Sequence, residues 1–379
     1  MNEVEVTVID YVRQFSDEVL SPAAKQVDEK AIFPSCHRKA MSELGLFGIN
    51  LPDKWGGVDL RGEVKFEAVA SIASACGSTA SMLTAHFLAT DAILLGGDDD
   101  LRLRYLPDAA SGNLLGAFAL TEPDAGSNPA DMTTRAKRTS KGYHLKGEKH
   151  FISNGGEADF IVVFAKTDVE AGNRGISAFV VDSNTPGFSS GPAERTMGLK
   201  GGHVFELSFD CVISENNRIG EESSGFRTAM KTLDNGRIEV AAMCVGIAQA
   251  ALDAACHWSQ QRMVGGDPIA NFQGIQWMLA DMATELQASR LLALDAAAKQ
   301  AGGGRFSQQA AMAKLHASEM AARVTDRALQ IHGGYGFSCD LPLERYVRDV
   351  RIMRIYEGSS EIQRNIIAAN LLKQFNFQN

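Results

Sequence analysis

The chain has 379 residues and a mass of 40.8 kDa, long for a single hydrophobic core, so with 45% apolar residues two or three packed domains are expected. A net charge of −9 and a pI near 5.5 argue against a general nucleic-acid surface, which needs clustered Lys and Arg to displace counterions from phosphate. Six cysteines, at 36, 76, 211, 244, 256 and 339, show neither C-x-x-C pairs nor the Cys/His spacing of a zinc site, so they read as reduced thiols with no structural metal.

From Met1 to about Gly116 the sequence reads as helices broken by turns, with Val12–Val19 ending at Ser21-Pro22 and Ala68–Ala75 ending at Gly77-Ser78. The acidic start, with Glu3, Glu5 and Asp10, lacks the pattern of a signal peptide. Between about Ala117 and Gly225 short β-branched and aromatic runs take over: His150–Ile152, Phe160–Phe164, Ile176–Val181 and Phe205–Phe209, separated by Gly, Asn, Asp and Pro. Beyond Gly225 helices return. Gly236–Arg262, Phe272–Gln300 and Ser307–His332 are long and Ala-rich, and Ile275, Leu279, Met282 and Leu286 mark one helical face. Gly302-Gly303-Gly304 and Gly333-Gly334 punctuate them. The apolar stretch Val240–Leu252 includes Gln249 and falls short of the ~20 residues that span a bilayer. The expectation is an α+β protein of the cytoplasm with no membrane segment. Its domains are an N-terminal helical domain over 1–116, a β domain over 117–225 and a C-terminal helical bundle over 226–379.

No G-x-x-x-x-G-K-[ST], strand-bound G-x-G-x-x-G, H-E-x-x-H or G-x-S-x-G occurs, which removes the common nucleotide-loop, zinc-protease and serine-hydrolase readings. Three other segments carry a pattern. Phe118-Ala-Leu-Thr-Glu-Pro-Asp-Ala-Gly-Ser127, with Phe151-Ile-Ser153 and Asn154-Gly-Gly downstream, opens the β region. Gln330-Ile-His-Gly-Gly-Tyr-Gly336 closes the third long helix, and Ile355-Tyr-Glu-Gly-Ser-Ser-Glu-Ile-Gln-Arg364 begins the last. Together and in this order they resemble the signatures of the acyl-CoA dehydrogenase family, over essentially the whole chain. The resemblance implies a helical N-terminal domain, a small central β-barrel or sandwich and a C-terminal four-helix bundle. It also implies one FAD per subunit, a homotetramer, an acyl-CoA substrate and electron transfer flavoprotein as the electron acceptor.

The resemblance places Glu357 as the base that takes the α-proton. Ser360 with Gln363 three residues on reads as a capping box, with Ile362, Ile366 and Ala369 on the apolar face, so Glu357 lies on the loop just before the helix. A carboxylate in a dry pocket has its pKa raised towards the working pH, as a general base requires. In the family the thioester carbonyl is bound by the base's own backbone N–H and a ribityl hydroxyl of FAD, and hydride leaves Cβ for flavin N5. Without the motif, a Glu at this place is an ordinary solvated charge at a helix N-terminus.

By similarity, Phe118, Leu120, Thr121, Gly126 and Ser127 would contact the isoalloxazine ring, with Phe151, Ile152 and Ser153 behind it and Ser359 and Glu361 close by. Arg262, Gln273, Gln330, Gly333 and Gly334 resemble residues that hold the FAD pyrophosphate and adenosine, partly across a subunit boundary. Ser127, Asp234, Arg237 and Gly358 match positions that meet CoA and the acyl chain. Read as plain structure, Glu122–Ser127 is a good turn, Phe151 a strand residue, Gly333-Gly334 a helix C-cap, and Arg237 a helix N-terminal residue paired to Glu239 or another carboxylate.

The chain departs from the family pattern at three places. Gly265 in Arg262-Met-Val-Gly-Gly266 replaces a common aromatic. Gly201-Gly202-His203-Val204 lacks hydroxyls that meet CoA in many relatives, where glycine N–H groups or His203 stand as substitutes. Ser153 replaces a more frequent Thr and keeps its hydroxyl. The position of Glu357, and Gly236-Arg-Ile, resemble the butyryl and isobutyryl enzymes, so a short straight or branched acyl-CoA is expected, its length set between Ser81 and Leu95. The alternatives are a related flavoenzyme that reduces an enoyl-CoA or processes a substituted short acyl-CoA, and a flavin-bearing scaffold without turnover.

Overall fold

Asn2 accepts the N–H of Glu5, and Glu5 accepts the N–H of Asn2, so a capping box opens α1 (Glu3–Phe15). The computed structural model describes residues 2–375. The expected break at Ser21-Pro22 does not form. A π turn, Ser16–Leu20, runs straight into α2 (Ser21–Glu29); Ser21 N–H bonds the Ser16 carbonyl, and the wider turn accommodates Pro22 without ending the helix. The domain continues through α3 (Arg38–Glu43), α4 (Gly62–Ala75), α5 (Gly77–Gly96) and α6 (Asp99–Ala110). Extended backbone at Cys76 turns α4 into α5.

The middle of the chain supplies β1 (Gly116–Ala119), β2 (Arg135–Thr139), β3 (Gly142–Ser153), β4 (Phe160–Lys166), β5 (Ile176–Asp182), β6 (Phe188–Ser190), β7 (Val204–Ile213) and β8 (Arg218–Ile219). They form one mixed sheet in the order β6-β7-β3-β2-β4-β5-β8, with β1 parallel to β4. Almost all of β4 and β5 is buried, which is why they read as unbroken apolar runs, whereas β7 alternates. His150–Ile152 is not a regular strand. The β3–β7 register shifts between Lys149 and Ile152, and Phe151 takes φ 57°.

The C-terminal domain holds α7 (Gly225–Gln261), a hairpin of β9 (Met263–Val264) and β10 (Asp267–Pro268), then α8 (Gln273–Ala301), α9 (Ser307–His332), α10 (Gly334–Phe337), α11 (Leu343–Val350) and α12 (Ser360–Phe375). Gly236, read as the start of its helix, is an interior residue of α7. A helix tolerates an interior glycine at about 1 kcal/mol, and here its missing side chain makes room for another group. Met282 and Leu286 are buried as expected; Ile275 and Leu279 are half-buried at the edge of the same cluster.

α7 packs on α4 and α5 on one side and on α8 and α9 on the other, so a single core joins both helical domains. α7 outruns the apolar stretch Val240–Leu252. By length and composition α5 and α7 are each long and apolar enough to cross a membrane, but 83% and 78% of their apolar windows lie inside the protein, as in core helices.

Candidate active site

Glu357 sits in the turn between α11 and α12 with φ 54°, followed by Gly358 at φ 94°. A left-handed non-glycine residue costs about 1–2 kcal/mol, so something must hold it. The holders are side chains on three helices. Gln363 of α12 donates to the carbonyls of Glu357 (3.1 Å) and Gly358 (2.8 Å). Lys314 of α9 donates to the Gly358 carbonyl at 2.8 Å, and Arg237 of α7 reaches the Glu357 carbonyl at 3.4 Å. Gln363 thus points back into the turn and not to the Ser360 N–H. The cap is Ser359, whose hydroxyl accepts the Ile362 N–H, while the Ser360 hydroxyl bonds Glu319 at 2.6 Å. The capping box expected at Ser360 does not form; a single cap at Ser359 takes its place, and Gln363 holds the Glu357–Gly358 turn.

The Glu357 carboxyl lies against Gly236, where a Cβ would come within 2.2 Å of its Oε2 and 2.7 Å of Leu88 Cδ2. That oxygen is buried with no hydrogen-bond partner. Burial pushes the carboxyl up to about 8, with the Glu239 charge acting in the same direction and Lys314 and Arg237 against it. The Tyr356 hydroxyl points at Met353 Sδ (2.9 Å) and Met243 Sδ (3.8 Å), and Thr84 at Met243 (3.6 Å), which gives this region a soft apolar wall. Leu88 and Thr84 fall within the Ser81–Leu95 stretch expected to bound the acyl chain.

Arg237 is not at a helix N-terminus and does not pair with Glu239. It is buried in the middle of α7, bound to Asp234, whose other oxygen accepts the Ser307 hydroxyl. Asp234 also lines a cleft of about 940 Å³ between α5, α7 and the loop before α9, with Arg61, Arg227, Lys231 and Arg305 around it.

The β domain presents a second group of predicted residues. Phe118 packs on Phe164 (4.9 Å between centroids), Leu120 is buried, and the Thr121 carbonyl accepts the His150 N–H at 2.9 Å. Beneath them Lys149 is wholly buried, donating to the Leu120 carbonyl (3.0 Å) and Glu122 Oε1 (2.9 Å). Glu122 in turn accepts the N–H groups of Thr133 and Thr134. Burial opposes its charge, yet Lys149 and these donors bring its carboxyl down to about 2. Gly126 and Ser127 are exposed, with open space where a Gly126 side chain would be. The bulge leaves Phe151 63% exposed and stacked on His150 at 4.2 Å, Ser153 half-buried, and Ile152 pointing into the sheet core. Any ligand contact of Ile152 is therefore through its backbone. Asn154, at φ 63°, ties this end of β3 to α5 through the Met82 carbonyl at 2.9 Å. Since α5 also supplies Leu88, it is the wall shared by both groups.

At the far end of the bundle Arg262 lies over the Tyr335 ring (5.9 Å), beside the exposed Gly333 and Gly334 and just beyond Gln330. Trp258 stacks on His332 at 5.1 Å. Gln273 is exposed at the first position of α8, and Glu361 is exposed in the first turn of α12. Gly265 and Gly266 are the central pair of the β9–β10 hairpin, both at positive φ (62° and 95°), so the turn itself explains why no aromatic stands at 265. In the Gly201–Val204 segment the glycine N–H groups and the His203 ring are already engaged. Ser78 and the Leu199 carbonyl occupy the N–H groups of Gly201 and Gly202, and both His203 nitrogens are engaged, by Glu157 (3.0 Å) and the Ala31 carbonyl (2.8 Å). The glycine N–H groups and His203, expected as substitutes at this edge, are thus engaged within the protein in this structure.

Sequence reasoning missed Gly236 as the floor under Glu357, Lys314 as a clamp and Lys149 as a support. Lys314 left one visible signal, a lone cation on a face of α9 otherwise buried through Ala310, Ala317 and Ala321.

A carboxylate in the bundle and an exposed aromatic on a bulged strand thus lie on either side of α5. Residues 2–113, 117–212 and 223–372 match the N-terminal, middle and C-terminal domains of acyl-CoA dehydrogenase. The chain is 44% identical to an acryloyl-CoA reductase (NADH) of Anaerotignum propionicum, over 96% of this chain and 93% of that protein. It is 40% identical to the human mitochondrial short-chain specific acyl-CoA dehydrogenase, over 98% and 91%. It superposes on the butyryl-CoA dehydrogenase of Megasphaera elsdenii with TM-score 0.96 at 38% identity, over 98% and 99%. The chain belongs to the acyl-CoA dehydrogenase family and is an FAD-dependent enzyme. The residues present fit that cofactor: an exposed ring at Phe151, open space at Gly126, and an arginine with open glycines at the bundle end.

Proposed function

We propose that the protein catalyses α,β-dehydrogenation of a short-chain acyl-CoA, straight or branched, with Glu357 as the base. The observation that carries this reading is the buried, unpartnered Glu357 Oε2, on a carboxyl held near the pH at which it exchanges a proton with a weak carbon acid. Glu357 takes the α-proton onto its carboxyl, and the Cα–Cβ double bond forms as the Cβ hydrogen leaves with its electron pair. FAD, when bound, is the acceptor of that pair. No described residue accepts the backbone N–H of Glu357, so it remains a free donor for the thioester carbonyl as negative charge builds on its oxygen. Gly358 carries the turn, and Arg237 fixes it from below.

Phe118, Leu120, Thr121, Gly126, Ser127, Phe151, Ile152, Ser153, Ser359 and Glu361 are assigned to the flavin ring, and Arg262, Gln273, Gln330, Gly333 and Gly334 to its pyrophosphate and adenosine. Ser127 and Asp234 are assigned to the CoA arm. The 940 Å³ cleft beside Asp234, lined by Arg61, Lys65, Arg227, Lys231 and Arg305 against Asp59 and Asp91, suits the phosphates of CoA. Exposed apolar residues on α8, α10 and α12, among them Trp277, Phe337 and Leu372, favour self-association into the family's homotetramer. Electron transfer flavoprotein is the proposed acceptor and the cytoplasm the proposed location.

The likeness to an acryloyl-CoA reductase favours one second reading, in which the same site runs towards reduction of an enoyl-CoA. Anaerobic mixing separates the two. Bleaching of the oxidised flavin by butyryl- or isobutyryl-CoA supports dehydrogenation of a short chain. Failure of every saturated thioester to bleach it, with rapid reoxidation of the chemically reduced protein by an enoyl-CoA, assigns reduction.

A further inference from the structure

A second carboxylate stands one helical turn from the site. Glu239 follows Gly236 by three residues on α7, and residues so spaced share a helix face with Cβ atoms about 5–6 Å apart. It therefore lies on the face of α7 against which Glu357 rests. Both Glu239 and its partner Lys65 of α4 are buried, joined at 2.9 Å, with the Lys65 ammonium 6.0 Å from the Phe87 ring centroid. Only Glu239 Oε1 is used; Oε2 is buried with no partner. The next acid along, Asp91 of α5, is fully engaged by Asn50 and Asn235, each at 2.7 Å.

We propose that Glu239, held in place by Lys65, is a positioning residue that acts on Glu357 through space and sets the pH at which the base becomes active. This rests on the assignment of Glu357 as base. The compartment holds two carboxylates with buried, unpartnered oxygens, and such groups resist ionising together. The charges facing Glu239 are Lys65, Asp91 and Glu357, and those facing Glu357 are Glu239, Arg237 and Lys314. Burial pushes the Glu239 carboxyl up to about 7, so the two acids titrate in the same range. Lys65 opposes that rise, so Glu239 is ionised through the upper part of the range, and its charge there holds the proton on Glu357 to higher pH.

The test is the pH dependence of flavin reduction by a saturated acyl-CoA in the FAD-loaded wild type, Glu239→Gln and Glu357→Gln. A second variant, Lys65→Met with Glu239→Met, removes the pair together and guards against misfolding caused by one unpaired buried charge. The expected result is an acid limb moved down by about one pH unit in both Glu239 variants, so that at about pH 7.5 they outrun the wild type. A merely structural role cannot accelerate the reaction. An unmoved or raised midpoint in either folded, flavinated variant overturns the proposal while leaving Glu357 as base. Unimpaired reduction by Glu357→Gln instead removes the base assignment itself.

Discussion

Two buried charges in different domains show what separates support from chemistry. Lys149 of the β domain is wholly enclosed, but its ammonium meets the Leu120 carbonyl and Glu122, and Glu122 is satisfied again by Thr133 and Thr134. Glu357 of the bundle is enclosed by Gly236 and Leu88, yet one carboxyl oxygen has no partner, and the groups that bind this residue bind its backbone. The first arrangement drives a carboxyl down to about 2 and the second drives one up to about 8. A buried charge with all its bonds made fixes a loop. One held by its main chain, with its side chain left over, is ready to move a proton.

Substitutions at the two places should fail in different currencies. Glu357→Gln keeps the shape and removes the proposed base, so flavin reduction should slow by about 10²–10⁴-fold with the melting temperature unchanged, read by stopped-flow absorbance and thermal unfolding. Lys149→Met does the reverse. It strands Glu122 without its cation and should cost about 3–5 kcal/mol, measured by urea unfolding, with loss of bound FAD. Gly236→Ala sharpens the contrast, since a methyl there would meet Glu357 Oε2 and displace it. Turnover should fall by about 10²-fold, while stability stays within about 1 kcal/mol because alanine favours a helix. Lys314→Met should have the smallest effect. Removing a cation that favours the charged carboxylate should raise the pH midpoint of flavin reduction by about half a unit, opposite in sign to Glu239→Gln.

Much of this was legible in the sequence, for identifiable reasons. β4 and β5 read correctly because burial on both faces leaves an unbroken apolar run, and α9 because Ser307 and Gly333 punctuate it. β2 did not, since Arg135-Ala-Lys-Arg-Thr139 has one buried residue among exposed ones and no apolar alternation to detect. Glu357 was found through its neighbours in Tyr-Glu-Gly-Ser-Ser-Glu. Its environment was not, because Gly236, Lys314 and Glu239 reach it from positions between 43 and 121 residues away in the chain. Pattern reading took Gly236 for a boundary and Gln363 for a cap partner. In each case a tertiary contact, invisible along one helix, had claimed the residue.

The central claim is that Glu357 is a base whose proton is held by burial far above the ordinary carboxylate range. The most direct test is the rate of flavin reduction by a bound short acyl-CoA from pH 5 to 10. Only the ionised carboxylate can take the α-proton, so the rate should rise with pH through a midpoint near 8, and the rise should vanish in Glu357→Gln. A rate already at its plateau by pH 5.5, or a rise that persists unchanged in Glu357→Gln, would contradict it.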